Sequence, residues 1–110
     1  MTHMLKYNMA LTFSTILSFP PCGTYEINLD GDVRKIGSKR LLKRQRTKRG
    51  WEFYFLNESK TYLHNLMADT FLAPLHEHNY IQHIDGNRSN NKLENLRRVT
   101  YDEMMKISAN

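Results

Sequence analysis

Apolar and polar positions alternate in short runs through most of this chain and fall at helical spacing in only two places. Thr24 to Leu29 predicts a strand, Asp30-Gly31-Asp32 a turn, and Val33 to Ile36 the returning strand. Lys39 to Arg46 and Trp51 to Leu56 predict two more strands joined by Thr47-Lys48-Arg49-Gly50, followed by a tight connection over Asn57 to Lys60. On the second of these strands Trp51, Phe53 and Phe55 share a face and are expected to pack as core. Tyr62, Leu63, Leu66, Met67, Thr70 and Phe71 then recur at helical intervals, forming one apolar stripe. Ala73-Pro74 must end that helix, because proline lacks the amide hydrogen that would continue it. Leu75 to Asn79 reads as a loop, and Tyr101 to Ile107 as a final helix with Asp102 and Glu103 near its amino end, where the dipole favours acids. The class is α+β: an antiparallel amino-terminal sheet leads through one helix into a β-hairpin and a last helix. Three stretches are expected within one compact unit: an extension over 1–18, a basic β module over 19–61, and the helix and hairpin over 62–110.

Between the two helical stretches lies the run Tyr80-Ile-Gln-His-Ile-Asp-Gly-Asn-Arg-Ser-Asn-Asn-Lys-Leu-Glu-Asn-Leu-Arg-Arg-Val-Thr100. Ile81, His83 and the Leu96 to Val99 region suit antiparallel strands, whereas Asp85-Gly86-Asn87 and Ser89-Asn90-Asn91 are turn formers whose side chains bond their own backbone. His83 therefore ends a strand beside a loop that folds over it. Histidine is the side chain whose unperturbed pKa lets it take a proton from water near neutrality. Asn95, at the end of the loop, can fix either the ring or the loop backbone with its amide.

This hairpin resembles the HNH endonuclease family of phages and mobile introns. Its His-Ile-Asp-Gly-Asn turn, Asn-Asn pair, Asn-Leu step and Val-Thr appear here as His83 to Asn87, Asn90-Asn91, Asn95-Leu96 and Val99-Thr100. Upstream, Tyr25-Glu-Ile-Asn-Leu-Asp-Gly-Asp-Val-Arg34, a basic hairpin and His64-Asn-Leu-Met-Ala-Asp-Thr-Phe71 are similar to the module that often precedes such a hairpin. The resemblance implies a ββα-metal motif in which His83 activates water, Asn95 orients the loop and a single Mg²⁺ or Mn²⁺ ion assists. It also implies ion ligands at the positions of Gln82 and Met104. An amide oxygen is a weak ligand for a hard cation, and a methionine thioether is unsuited to it. Asp102, Glu103, His76 and His78 are the oxygen and nitrogen donors near enough in sequence to substitute. His64 is read as a structural residue that packs against the hairpin. The opposed reading of the same departures is an inactive HNH-like domain kept to bind DNA or to inhibit a host protein.

Charge narrows the partner. The chain carries a formal net charge of +5 with a pI near 9.5, which points to a polyanion, most simply DNA, with RNA a weaker alternative. Nine of the sixteen Lys and Arg residues lie between positions 34 and 49: Arg34, Lys35, Lys39, Arg40, Lys43, Arg44, Arg46, Lys48 and Arg49. Such a cluster either protects an edge strand from pairing or draws in phosphates with release of counterions. Together with Arg88, Arg97 and Arg98 it forms the candidate nucleic-acid surface. The single cysteine, Cys22, leaves no pair for an internal disulfide or a zinc staple. No stretch has the length of a membrane span, and the apolar run ahead of Pro20 alternates as a strand does, so a cytoplasmic protein is expected.

Overall fold

The structure is a computed structural model that describes residues 12–18, 23–77 and 79–109; Cys22 and His78 lie outside the described residues. Three small antiparallel sheets carry the fold. In the first, β1 (Ser14–Thr15) pairs with β2 (Tyr25–Ile27), which pairs with β3 (Val33–Lys35). The turn between β2 and β3 closes on Asn28, whose Oδ1 accepts from the Asp32 amide at 2.8 Å. Gly31 stands there at φ +82°, and a Cβ would meet Leu63 and Arg44 at 3.1–3.3 Å, so both its conformation and the close packing require glycine.

The second sheet joins β4 (Gln45–Arg46), β5 (Glu52–Leu56) and β6 (Ser59–Tyr62). It departs from the sequence reading in three ways. The expected strand over 39–46 is reduced to Gln45–Arg46 and an isolated bridge from Leu41 to Arg34. Ser59 and Lys60, expected as a connection, already belong to β6, because the turn needs only Asn57 and Glu58, at φ 48° and 67°. Two such residues suit the twist of a hairpin, and the Tyr25 hydroxyl holds Asn57 there by accepting from its amide at 3.0 Å and donating to its Oδ1 at 3.1 Å. The third departure is parity on β5. Tyr54 and Leu56 enter the main core, while of the three aromatics expected there Phe53 is buried outside that cluster, Phe55 is exposed and Trp51 only half buried. Tyr54 can be buried because its hydroxyl donates to Gly31 O at 2.7 Å and accepts from Arg44 Nε at 3.0 Å.

Helix α1 (Leu63–Phe71) buries Leu63, Leu66 and Met67 against both sheets, and the same core takes in Ile16, Ile27, Val33 and Leu96. Its exposed carbonyls are closed by an arginine from a distant strand. Arg98 donates to Ala68 O, Ala73 O and Leu72 O at 3.0, 3.1 and 3.4 Å. Beyond Pro74 the chain enters β7 (Tyr80–His83), which pairs with β8 (Leu96–Val99) after a short 3-10 turn. Helix α2 (Tyr101–Ala109) follows, capped reciprocally: Thr100 Oγ1 accepts from the Glu103 amide, and Glu103 Oε1 accepts from the Thr100 amide at 3.1 Å.

Candidate active site

His83 is the last residue of β7 and is 8% exposed, with its ring held by the loop that follows. Its Nε2 lies 2.7 Å from Asn91 Oδ1. The Asn91 amide nitrogen donates to Glu52 Oε1 at 2.9 Å and weakly to Arg88 O at 3.4 Å, so its oxygen is the atom turned to the ring. The ring hydrogen therefore sits on Nε2, and Nδ1 is left as the basic nitrogen with no hydrogen bond among the described residues. Buried Glu52 anchors this chain of contacts and also pairs with Arg46 at 3.0 Å and Arg44 at 3.7 Å. Sequence reasoning did not single out Glu52 or Asn91 as site residues. The available signal was an acid inside an otherwise apolar strand, which is rare without a buried partner.

The loop over 84–95 is a closed set of side-chain to backbone bonds. Asp85 Oδ1 accepts from the Asn87 amide at 2.8 Å and Asn95 Nδ2 at 2.9 Å, and its Oδ2 from Asn90 Nδ2 at 2.8 Å. These bonds, led by that from Asn90, hold the Asp85 carboxyl below its ordinary range. Of the two roles open to Asn95, the geometry has the loop: its Oδ1 accepts from the Asp85 amide and its Nδ2 also donates to Asn90 O, while the ring belongs to Asn91. The loop docks on the β4–β5 turn, with Ser89 Oγ donating to Gly50 O at 2.9 Å and the Arg88 guanidinium 4.7 Å from the centre of the Trp51 ring.

Trp51, His64 and His83 form a triangle of rings with centroids 5.1, 5.2 and 5.8 Å apart. Burial, reinforced by the neighbouring His83, lowers the His64 pKa from 6.5 to about 4, and its buried Nδ1 has no partner. Because this folded value lies below the unfolded one, His64 contributes stability that is present above pH 6.5 and is lost as pH falls toward 4. Urea unfolding at pH 7 and pH 5 should differ by about 2 kcal/mol from this group, and His64→Gln should remove most of the difference. An unchanged pH dependence in the variant would assign the effect elsewhere.

A cavity of about 370 Å³ opens beside His83, lined by Trp51, Gln82, Gly86, Arg88, Met104 and Ile107 among others. The structure thus brings Gln82, His83 and Met104 together as the resemblance implied, but their chemistry does not suit a divalent ion. Gln82 Oε1 already accepts from Arg97 Nε at 2.6 Å. Met104 offers only sulfur, and the acidic substitute Glu103 is engaged in capping α2 and lies 3.7 Å from Arg97 Nη2. Asp102 and His76 are exposed, the latter beside Glu77. Among the described residues no three His, Cys, Asp or Glu side chains stand close enough to hold an ion.

The cations divide by environment. Arg34 pairs with Glu26 at 2.6 Å and lies over Phe13, Arg44 reaches Asp30 O, Asp32, Tyr54 and Glu52, and Arg46 meets Glu52. Those three are tied into the sheets, and Arg98 into the end of α1, rather than standing as one surface. Lys35, Arg40 and Lys43 line a separate recess with Ser38, Leu41 and Leu42, and Lys39 is exposed nearby. Lys48 and Arg49 sit on the β4–β5 turn, where Arg88 Nη1 approaches Arg49 O at 3.4 Å, next to the cavity of His83.

Residues 61–106 match a family described as HNH endonuclease. DNA endonuclease I-HmuI of Bacillus phage SP01 is 37% identical over 82 residues, which take in 71% of this chain and 47% of that protein. An uncharacterized HNH endonuclease of Acanthamoeba polyphaga mimivirus is 36% identical over 89 residues, 76% of this chain and 22% of its own length. The fold is similar to a solved structure of DNA binding and cleavage by the HNH homing endonuclease I-HmuI, with a TM-score of 0.72 and 28% identity over 89% of this chain and 57% of that one. The chain therefore spans about half the length of I-HmuI and a smaller share of the other relative. By its matched segment, its relatives and its shared fold, this chain belongs to the HNH endonuclease family.

Proposed function

We propose that this protein is a DNA endonuclease or nickase of a phage or mobile element, with His83 as the general base. The observation that carries the reading is the Glu52–Asn91–His83 chain, which sets the hydrogen on Nε2 and leaves Nδ1 basic on a residue that lines an open cavity. A water held there gives its proton to Nδ1 while its oxygen forms a bond to phosphorus. The bond from phosphorus to the sugar oxygen breaks, and that oxygen takes a proton from solvent. The Asp85–Asn95 loop lattice keeps the His83 end of β7 rigid through the reaction. Arg88, Lys48 and Arg49 meet the strand backbone near the scissile bond, and Lys35, Lys39, Arg40 and Lys43 extend the contact along it.

The family resemblance implied a Mg²⁺ or Mn²⁺ ion, and its positions in this chain do not suit one, so the hydrolytic step rests on the protein's own groups. A second reading, DNA binding without chemistry, is favoured by the same two residues, Gln82 and Met104. Neither relative is named for a host-protein partner, and no feature of the site favours one. Supercoiled plasmid separates the two readings. Conversion to open circle by the wild type is the expected result, and intact plasmid together with salt-dependent duplex binding would leave binding as the activity.

A further inference from the structure

Gln82 and Arg97 face each other across β7 and β8, and the amide oxygen that would turn to an ion instead accepts the Arg97 Nε hydrogen at 2.6 Å. A Mg²⁺ ion would have to approach that oxygen to about 2.1 Å, against a full positive charge already on it. Glu103 Oε2, 3.7 Å from Arg97 Nη2, steadies the guanidinium from α2, and Nη1 makes no hydrogen bond among the described residues. The Arg97 side chain is half exposed and reaches the site through Gln82, which precedes His83 on β7 and lines the same cavity. A guanidinium so held offers a planar fork to an anion, the geometry that suits phosphate.

We propose that the Arg97 guanidinium, not a divalent ion, is the positive charge that receives the DNA phosphate beside His83. Gln82 and Glu103 are its positioning residues. The proposal rests on the DNA-directed reading above, but it does not require that cleavage occur.

Two measurements on the whole chain test it. Titration with Mn²⁺, followed by the loss of the free-ion paramagnetic signal, should show no uptake by the wild type, and uptake by the Gln82→Asp, Met104→Asn double variant. Duplex binding across salt, in chelator, should be about tenfold weaker for Arg97→Ala, with a slope reduced by about one counterion, and Arg97→Lys should recover part of the loss. Melting curves and circular dichroism check that each variant is folded. Plasmid nicking, where it occurs, should proceed equally in chelator and in Mg²⁺. Stoichiometric Mn²⁺ uptake by the wild type that Gln82→Ala abolishes would overturn the proposal, as would nicking that chelator stops and Mn²⁺ restores. Unchanged affinity and slope in folded Arg97→Ala would overturn it too, reducing the residue to a cross-strand partner. If no condition gives nicking while the uptake and Arg97 results stand, the endonuclease reading falls and this one does not.

Discussion

Replacing His83 with alanine is expected to lower plasmid nicking by about 10²- to 10⁴-fold, the range that loss of a positioned general base produces. Duplex affinity should stay within about twofold, since the imidazole acts on water and the phosphates are held by other groups. The substitution also leaves Asn91 Oδ1 without its ring partner in a buried position, at a cost of about 1–3 kcal/mol in stability. Kinetics at a temperature well below the melting point of the variant separate that cost from the chemical loss. Nicking that survives in folded His83→Ala would move the chemistry out of this hairpin.

The second large effect is expected at Glu52, a buried residue. Glu52 is 7% exposed and its carboxylate joins Arg46, Arg44 and the Asn91 amide, so it links the basic sheet to the loop that holds His83. Glu52→Ala leaves the buried Asn91 amide without its acceptor and takes one partner each from Arg44 and solvent-exposed Arg46, and a loss of about 2 kcal/mol is expected in urea unfolding. Glu52→Gln keeps the shape and one acceptor, so it should recover part of that stability while still slowing turnover. The reason is positional: a weaker hold on Asn91 permits its amide to turn, and a turned amide would present nitrogen to His83 Nε2 and reverse the tautomer. An altered pH profile of nicking in Glu52→Gln, with its affinity for duplex unchanged, would express that role. A profile identical to wild type would make Glu52 structural only.

These effects are spread unequally between what can be read along the chain and what cannot. The His83 hairpin was legible because its signals are local: turn-forming Asp85, Gly86, Asn87 and Asn90 fix their own backbone within a few residues. Helix α1 was legible for the same reason, since Leu63, Leu66 and Met67 declare one buried face by spacing alone. Strand parity on β5 was not. Trp51, Phe53 and Phe55 are as apolar as Tyr54 and Leu56, and the face that enters the main core was selected by a hydroxyl partner at Gly31 and a guanidinium at Arg44.

The sequence by itself determined the α+β class, the place of His83 at a strand end and the abundance of cations, because spacing and composition act within one segment. Only the tertiary structure decided which cations are committed to the fold. Arg98 looks as available as Arg97 along the chain, yet neighbouring strand residues point to opposite faces, and that difference sends one to the carbonyls of α1 and the other to Gln82. The pairing of Asn91 with His83 and Glu52 is likewise a product of docking the loop on a strand thirty-nine residues earlier. Hydrogen bonds of that range depend on distances that no local pattern encodes, and they set the tautomer of the histidine.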